Sequence, residues 1–363
     1  MEKILFLNTC VEWGGGEKWT FDTADELDNR GYQVIIGSVA ESELFTRAKK
    51  AGIKTKEVAI RNTLSVLNPV KLIAFINYLK QEKIDTIFLN LSQDLKFGAL
   101  AAKLAGVERI IYRRGIDIPI KDRFYTKFLL ADCVTDIIVN SQATKASVLK
   151  NTDDYLDESK INIIYNGIKL EKIAQREITS DIREEFKLSE DIPLIANVGR
   201  LTEQKGHKYL LQAVDLMREQ LQEFKVLIVG KGELEQQLKN EVKELGLEDY
   251  IIFTGFRKDV YNIMQQMDFL LHTALWEGFG FVIAEAMAVA KPVVACDSSN
   301  ISELVIDGET GYLAEVKNPE DIAQKAIKMI KNENKESLGK QARKRVEKKF
   351  VFKDKVSQLE EKY

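Results

Sequence analysis

Short β-branched and aliphatic runs alternate along this chain with longer stretches whose apolar positions recur every three or four residues. In the first half, Lys3–Asn8, Gln33–Val39, Ile84–Asn90, Val107–Tyr112, Asp136–Asn140 and Ile161–Tyr165 read as strands. Between them, spacings such as Val70, Ile73, Ile76 and Leu79 predict amphipathic helices. Such alternation predicts a parallel sheet with both faces covered. The pattern restarts near Leu194, where Leu194–Gly199, Lys225–Val229, Tyr250–Thr254, Asp268–His272, Pro292–Cys296 and Gly311–Ala314 predict a second set of strands. The charged segment 169–191 contains no strand pattern and reads as a linker, and the chain after Pro319 reads as helical. Two Rossmann-like α/β domains facing across a cleft follow, with the chemistry in loops beyond the carboxyl ends of the strands.

Length and composition narrow the class. The 363 residues suit two domains, and an apolar fraction of 45 % with 30 % charged residues excludes wholesale disorder and fibrous repeats. Lys and Arg (53) nearly balance Asp and Glu (56), a net charge of −3 that argues against a global electrostatic grip on nucleic acid. No apolar run is long enough for a membrane span, and the one at the N-terminus is too short for a secretion signal, so a cytoplasmic location is expected. Cys10, Cys133 and Cys296 are scattered, and His207 and His272 are the only histidines. No metal site and no disulfide framework is expected.

The sequence Trp276-Glu277-Gly278-Phe279-Gly280 follows a strand and precedes an apolar helix expected to begin near Gly280. Its glycines allow a ligand close to the backbone, and the helix start favours a phosphate. Glu285 falls within that helix among Val282, Ile283, Ala286 and Met287, where a carboxylate needs hydrogen-bonding partners such as vicinal sugar hydroxyls. Eight residues of helix span about 12 Å, comparable to the reach from a ribose across a diphosphate to a hexose. The plainer reading is a buried helix with Glu277 as a cap and Glu285 facing solvent.

Arg200 and Lys205 flank the loop Gly199-Arg200-Leu201-Thr202-Glu203-Gln204-Lys205-Gly206 at a strand end, a pair suited to a diphosphate; two solvated cations are the alternative. Gly14-Gly15-Gly16-Glu17 resembles a phosphate loop in outline, although a tight turn explains it equally well. His272 and Trp276 read as core residues, and His207 as a helix start. Between Lys103 and Lys127 lie seven cations and three acids. Arg113, Arg114, Lys121, Arg123 and Lys127, with Phe124, Tyr125 and Phe128 interleaved, read either as a solvated helix face or as a contact with an anionic acceptor or membrane.

Taken together, these motifs resemble the family 4 retaining glycosyltransferases, which have the GT-B fold. Glu277 to Glu285 matches the family's Glu-x7-Glu signature, and Gly199-Arg200 through Lys205-Gly206 its donor-phosphate loop. Gly14-Gly15-Gly16-Glu17, Asn166-Gly167-Ile168 and Glu303-Leu304-Val305 with Asp307-Gly308 match further segments. The resemblance implies an acceptor-side domain (1–168), a linker (169–191), a nucleotide-sugar domain (192–340) and a C-terminal helix (341–363) returning to the first domain. It implies Arg200, Lys205 and Glu277 as catalytic residues. Gly14, Gly15, Gly199, Gly278, Phe279, Gly280 and Glu285 would contact the donor.

The implied reaction retains configuration, needs no metal or resident cofactor, and uses a nucleotide sugar, UDP- or GDP-linked by expectation, as co-substrate. The acceptor would be a glycan or lipid-linked glycan of the cell surface, reached by peripheral contact with the inner face of an anionic plasma membrane, with no nucleic acid as partner. A sugar-nucleotide epimerase and a non-catalytic nucleotide-sugar-binding subunit stay open as alternatives. The sequence departs from the family at Lys169, at Ser299-Asn300-Ile301-Ser302, and in lacking a first-domain histidine, where Arg113-Arg114-Gly115 stands instead.

Overall fold

The computed structural model describes residues 2–60, 68–174 and 177–363; Gln175 and Arg176 of the expected linker lie outside them. The chain divides into two compact units, Met1–Asn166 with Lys353–Tyr363, and Gly167–Phe352.

The first unit holds a parallel sheet of strands β1 (Lys3–Leu7), β2 (Gln33–Ser38), β3 (Lys54–Glu57), β4 (Thr86–Leu89), β5 (Arg109–Arg114), β6 (Asp136–Val139) and β7 (Ile161–Ile163). They lie in the order β3-β2-β1-β4-β5-β6-β7. The chain first runs outward from β1 and then returns to the other side of it, so β1 and β4 flank a topological switch point. Leu5 and Ile87 are register partners in the buried middle of the sheet, and the Phe6 and Phe88 rings stack with centroids 4.6 Å apart.

The second unit repeats the plan with β8 (Leu194–Val198), β9 (Lys225–Val229), β10 (Ile251–Gly255), β11 (Phe269–His272), β12 (Val293–Cys296) and β13 (Gly311–Ala314). The order β10-β9-β8-β11-β12-β13 is the Rossmann order, with its switch point between β8 and β11. Ile195, Val226, Phe269 and Val294, each closed to water, belong to the core of this unit. This is the GT-B arrangement of two Rossmann-like folds in one chain.

Three expectations are corrected. β3 was not expected, because Lys54-Thr-Lys-Glu57 carries no apolar alternation; it is an edge strand, half exposed, held by backbone pairing to β2. The segment 169–191 is not a free linker. Asp181 caps the helix Ile182–Glu185, and Asn262 and Gln266 bind Thr179, Ser180 and Ile182, which builds it into the second unit. The expected helix over 341–363 is two helices, Lys335–Lys349 and Phe352–Lys362. Buried Phe350 ends the first, and Val351 is extended beside Ile168, whose N–H donates to the Phe350 carbonyl and whose carbonyl accepts from the Phe352 N–H. Gly167 fits here because a Cβ would lie 2.4 Å from the Phe352 Cα. The last helix belongs to the first unit, where Arg30 binds Ser357 and Glu360, and Asn162 binds the Tyr363 hydroxyl.

Candidate functional site

In the second unit, two loops leave the carboxyl ends of β8 and β11 side by side at the switch point. The β8 loop turns through a short 3-10 segment, Glu203–Lys205, and ends at Gly206, which begins the helix His207–Arg218. Gly206 has φ 64°, and a Cβ there would lie 2.1 Å from the Thr273 carbonyl oxygen. Only glycine satisfies both demands. The loops are laced by three hydrogen bonds: Thr273 Oγ1 to the Lys205 carbonyl (3.0 Å), Leu275 N–H to the Gln204 carbonyl (2.8 Å) and Gln204 Nε2 to the Trp276 carbonyl (2.9 Å). Lys205 therefore has a fixed backbone. Its aliphatic stem lies against Gly199, where a Cβ would meet Lys205 Cε at 3.2 Å.

The β11 loop delivers Glu277 into this corner. Lys205 Nζ donates to Glu277 Oε1, and His272 Nε2 lies 2.9 Å from the same oxygen. A carboxylate only accepts, so the neutral imidazole carries its proton on Nε2. Burial alone would raise the Glu277 pKa, but the His272 hydrogen bond and the Lys205 charge overcome it and hold the carboxyl at about 2. Burial, with Lys205 nearby, pushes the His272 pKa down despite its bond to Glu277. The side chains of Lys205 and Glu277 are 17 % and 10 % exposed, so their attraction is screened far less than that of a surface pair.

Beyond Glu277, Phe279 is buried between the rings of Phe281 and Phe350. Gly280 has φ 84° and begins the apolar helix Phe281–Ala288, whose start no side chain caps. Such an end offers backbone donors and a positive dipole to an anion. The loop after β12 closes the site: Glu277 N–H donates to Ser299 Oγ at 3.4 Å, and Asn300 Nδ2 reaches the Phe279 carbonyl at 3.5 Å. The structure thus gathers Gly199, Lys205, Glu277, Gly278, Phe279 and Gly280. Arg200 stands exposed at the start of the same β8 loop, and Glu285 is half-buried on the apolar helix.

Two readings change. His272, expected in the core, is buried as expected but is also the hydrogen-bond partner of Glu277; its place at the end of β11 was the available signal. Trp276, expected to pack, is 40 % exposed, because its carbonyl rather than its ring is what the β8 loop holds. Ser299 had no signal beyond its departure from the family pattern.

In the first unit, Gly14 and Gly15 begin the helix Gly15–Asn29. Glu17 folds back over Gly14 and accepts from Asn8 Nδ2 at 3.2 Å. Across the β1/β4 switch point, Thr9 Oγ1 donates to buried Asp94 at 2.5 Å. The basic stretch is not one helix face. Its strand β5 runs on to Arg114, which buries both arginines on opposite faces of the sheet. The Arg113 guanidinium stacks 4.1 Å from the Trp19 ring centroid and donates to Asn166 Oδ1 at 3.1 Å. Burial pushes its pKa down to about 10, against the Glu17 charge. Arg114 instead binds the Tyr112 hydroxyl and the Ile118 carbonyl. Lys127 pairs with Asp154 at 3.1 Å, and Lys121 and Arg123 are exposed.

Two family profiles match the chain: one described as Glycosyltransferase Family 4 over residues 13–172, and one described as Glycosyl transferases group 1 over residues 179–345. The chain is 26 % identical over 318 residues to the Escherichia coli UDP-Gal:alpha-D-GlcNAc-diphosphoundecaprenol alpha-1,3-galactosyltransferase, covering 84 % of this chain and 81 % of that protein. It is 31 % identical to the Campylobacter jejuni N-acetylgalactosamine-N,N'-diacetylbacillosaminyl-diphospho-undecaprenol 4-alpha-N-acetylgalactosaminyltransferase, over 54 % of this chain and 51 % of the relative. Anabaena HepE, solved with UDP and glucose, superposes with a TM-score of 0.84 at 23 % identity, covering 100 % of this chain and 99 % of that one.

Proposed function

Because this chain belongs to the family 4 glycosyltransferases, we propose that it moves a hexose or related sugar from a nucleoside diphosphate to a hydroxyl of a lipid-linked glycan, with retention of configuration. The observation that carries this reading is the cluster of Lys205, Glu277 and His272 at the β8/β11 switch point, where ligands of such sheets bind. A uridine donor is favoured by the UDP-galactose in the name of the Escherichia coli relative and by the UDP bound to HepE. The diphospho-lipid acceptors named for both curated relatives favour a lipid-linked acceptor, and with it a place at the inner face of the membrane.

As the glycosidic bond breaks, positive charge grows on the sugar ring and negative charge on the leaving β-phosphate. Lys205 has three N–H donors and Glu277 takes one, so two are available to phosphate oxygens. Arg200 and the helix start at Gly280 add positive charge on the same side, which is why the reading needs no metal. Both contacts of Glu277 fall on Oε1, and among the described residues Oε2 has no partner. That oxygen accepts from a hydroxyl of the transferred sugar, while Glu285 accepts from the ribose. His272 holds the Glu277 carboxylate in its ionised, accepting state.

The matched relatives are transferases, which does not favour an epimerase or a non-catalytic subunit. Supplying radiolabelled UDP- and GDP-sugars with a diphospholipid-linked glycan tests the reading. Transfer with release of nucleoside diphosphate is expected; conversion of the sugar without release, or binding without turnover, overturns it.

A further inference from the structure

Away from the donor loops, the first unit carries an open groove of about 430 Å³ between the start of the helix Ser92–Ala105, the end of β5 and the segment from Ile116 to Leu129. Four cations line it, Lys96, Arg114, Lys121 and Arg123, and no carboxylate does. Among the described residues none of the four is ion-paired. Arg123 Nη1 and Lys96 converge on Tyr125, at 3.2 Å from its hydroxyl and 5.4 Å from its ring centroid respectively, and the two charges pull the phenol pKa down. Arg114 is only 9 % exposed, and its buried Nε has no hydrogen-bond partner.

A guanidinium desolvated to this extent without a counter-ion is costly unless an anion completes it. Leu95, Ile116, Ile118, Pro119, Ile120 and Leu129 give the lining its apolar part, and Ile116 and Ile118 are 40 % and 51 % exposed. Phe124, next to Arg123, is 91 % exposed, and Phe128 follows on the same short helix at 41 %. One buried arginine and three more accessible cations, with bare aliphatic and aromatic side chains beside them, match an anionic head joined to an apolar chain.

We infer that this groove binds the diphosphate of a lipid-borne acceptor, with Arg114, Lys96, Lys121 and Arg123 around the phosphates and Ile116, Ile118 and Phe124 against the lipid. The inference deepens the proposed function by naming the acceptor's anchoring group and the side chains that hold it. A diphosphate diester carries two negative charges, which four uncompensated cations accommodate with charge to spare for the membrane surface. Asp117 and Asp122 lie in the same segment but do not line the groove.

The test is sedimentation of the full chain with neutral phosphatidylcholine vesicles containing a polyisoprenyl diphosphate. Phosphatidylglycerol vesicles of equal charge and soluble pyrophosphate serve as the other two arms. Diphosphate vesicles should bind most tightly. Lys121→Gln with Arg123→Gln should weaken that binding about fivefold per cation, on the order of 25-fold together. The surface pair Lys348→Gln with Lys349→Gln should leave it unchanged. Ile116→Ser with Ile118→Ser should weaken vesicle binding more than pyrophosphate binding. Equal binding to phosphatidylglycerol vesicles, equal binding of free pyrophosphate, or indifference to the double Gln variant would each overturn the assignment. None of these arms needs turnover, so they decide the groove even if the transferase reading fails. Conversely, an active enzyme whose KM for the lipid acceptor ignores Lys121→Gln with Arg123→Gln would sink the groove and spare the transferase.

Discussion

Glu277 meets Lys205 and His272 through one oxygen, Oε1, which lies 2.9 Å from the His272 Nε2 and accepts from the Lys205 ammonium. Lys205 is 72 residues away along the chain, yet adjacent, because β8 and β11 are neighbours in the sheet. The strand order therefore creates the site, and the loop hydrogen bonds hold it.

Lys205→Ala removes both the cation aimed at the donor phosphate and the counter-ion of a buried carboxylate. Loss of one preorganised contact to a developing anion costs about 2.7–4 kcal/mol in barrier, so kcat should fall 10²- to 10³-fold. Breaking a buried pair typically costs about 3–5 kcal/mol, and this pair's residual exposure puts the stability loss near the lower end. Steady-state kinetics and urea unfolding of the same variant check both effects.

Stability against pH should reveal opposing groups in the two units. Burial and the neighbouring His272 and Lys205 charges hold His207 at about 4, below its ordinary 6.5. Its contribution is present above pH 6.5 and lost as pH falls towards 4. Burial raises Asp94 from 3.8 to about 7, so its contribution is present below 3.8 and lost as pH rises through 7. Between pH 4 and 6.5 the two slopes oppose each other. Asp94→Asn should steepen the fall in urea midpoint on acidification, and His207→Gln should make it shallower; parallel curves for all three proteins would refute this.

Gly206→Ala places a Cβ 2.1 Å from the Thr273 carbonyl oxygen at a φ of 64°. Backbone strain of this kind costs about 1–3 kcal/mol, and the steric overlap must also be relieved by moving the β8 loop. A lower melting temperature together with a raised KM for the donor is expected. Full donor affinity in a destabilised protein would show that the loop position does not matter to binding.

Ser299 sits at a φ of 53°, a left-handed conformation that costs a non-glycine residue about 1–2 kcal/mol, while its hydroxyl accepts from the Glu277 amide at 3.4 Å. Ser299→Gly should relieve strain and raise the melting temperature while lowering kcat, because Glu277 loses a tether. A variant that gains stability and keeps its full rate would show that the hydroxyl plays no part.

Both Rossmann sheets were legible because their central strands carry apolar runs buried on both faces, such as Lys3–Leu7 after its first residue and Val293–Cys296. The edge strand Lys54–Glu57 was not, since backbone pairing rather than side-chain burial holds it. Glu277 and Lys205 stood out through spacing and loop position. Their direct pairing did not, because it depends on which strands become neighbours, and no local pattern records that. Arg113 and Arg114 illustrate the same limit: charge alone placed them on a surface, whereas β5 lies two residues further along than its aliphatic run and buries them on opposite faces.

The most direct test of the donor site is calorimetric titration of UDP into the native protein, Lys205→Ala and Arg200→Ala, with uridine as the phosphate-free control. Charge-assisted hydrogen bonds contribute about 1.5–3 kcal/mol each, so Lys205→Ala should weaken UDP binding by about 10- to 100-fold and leave uridine binding unchanged. The same Kd for UDP in the native protein and both variants would contradict a diphosphate site at the β8/β11 switch point.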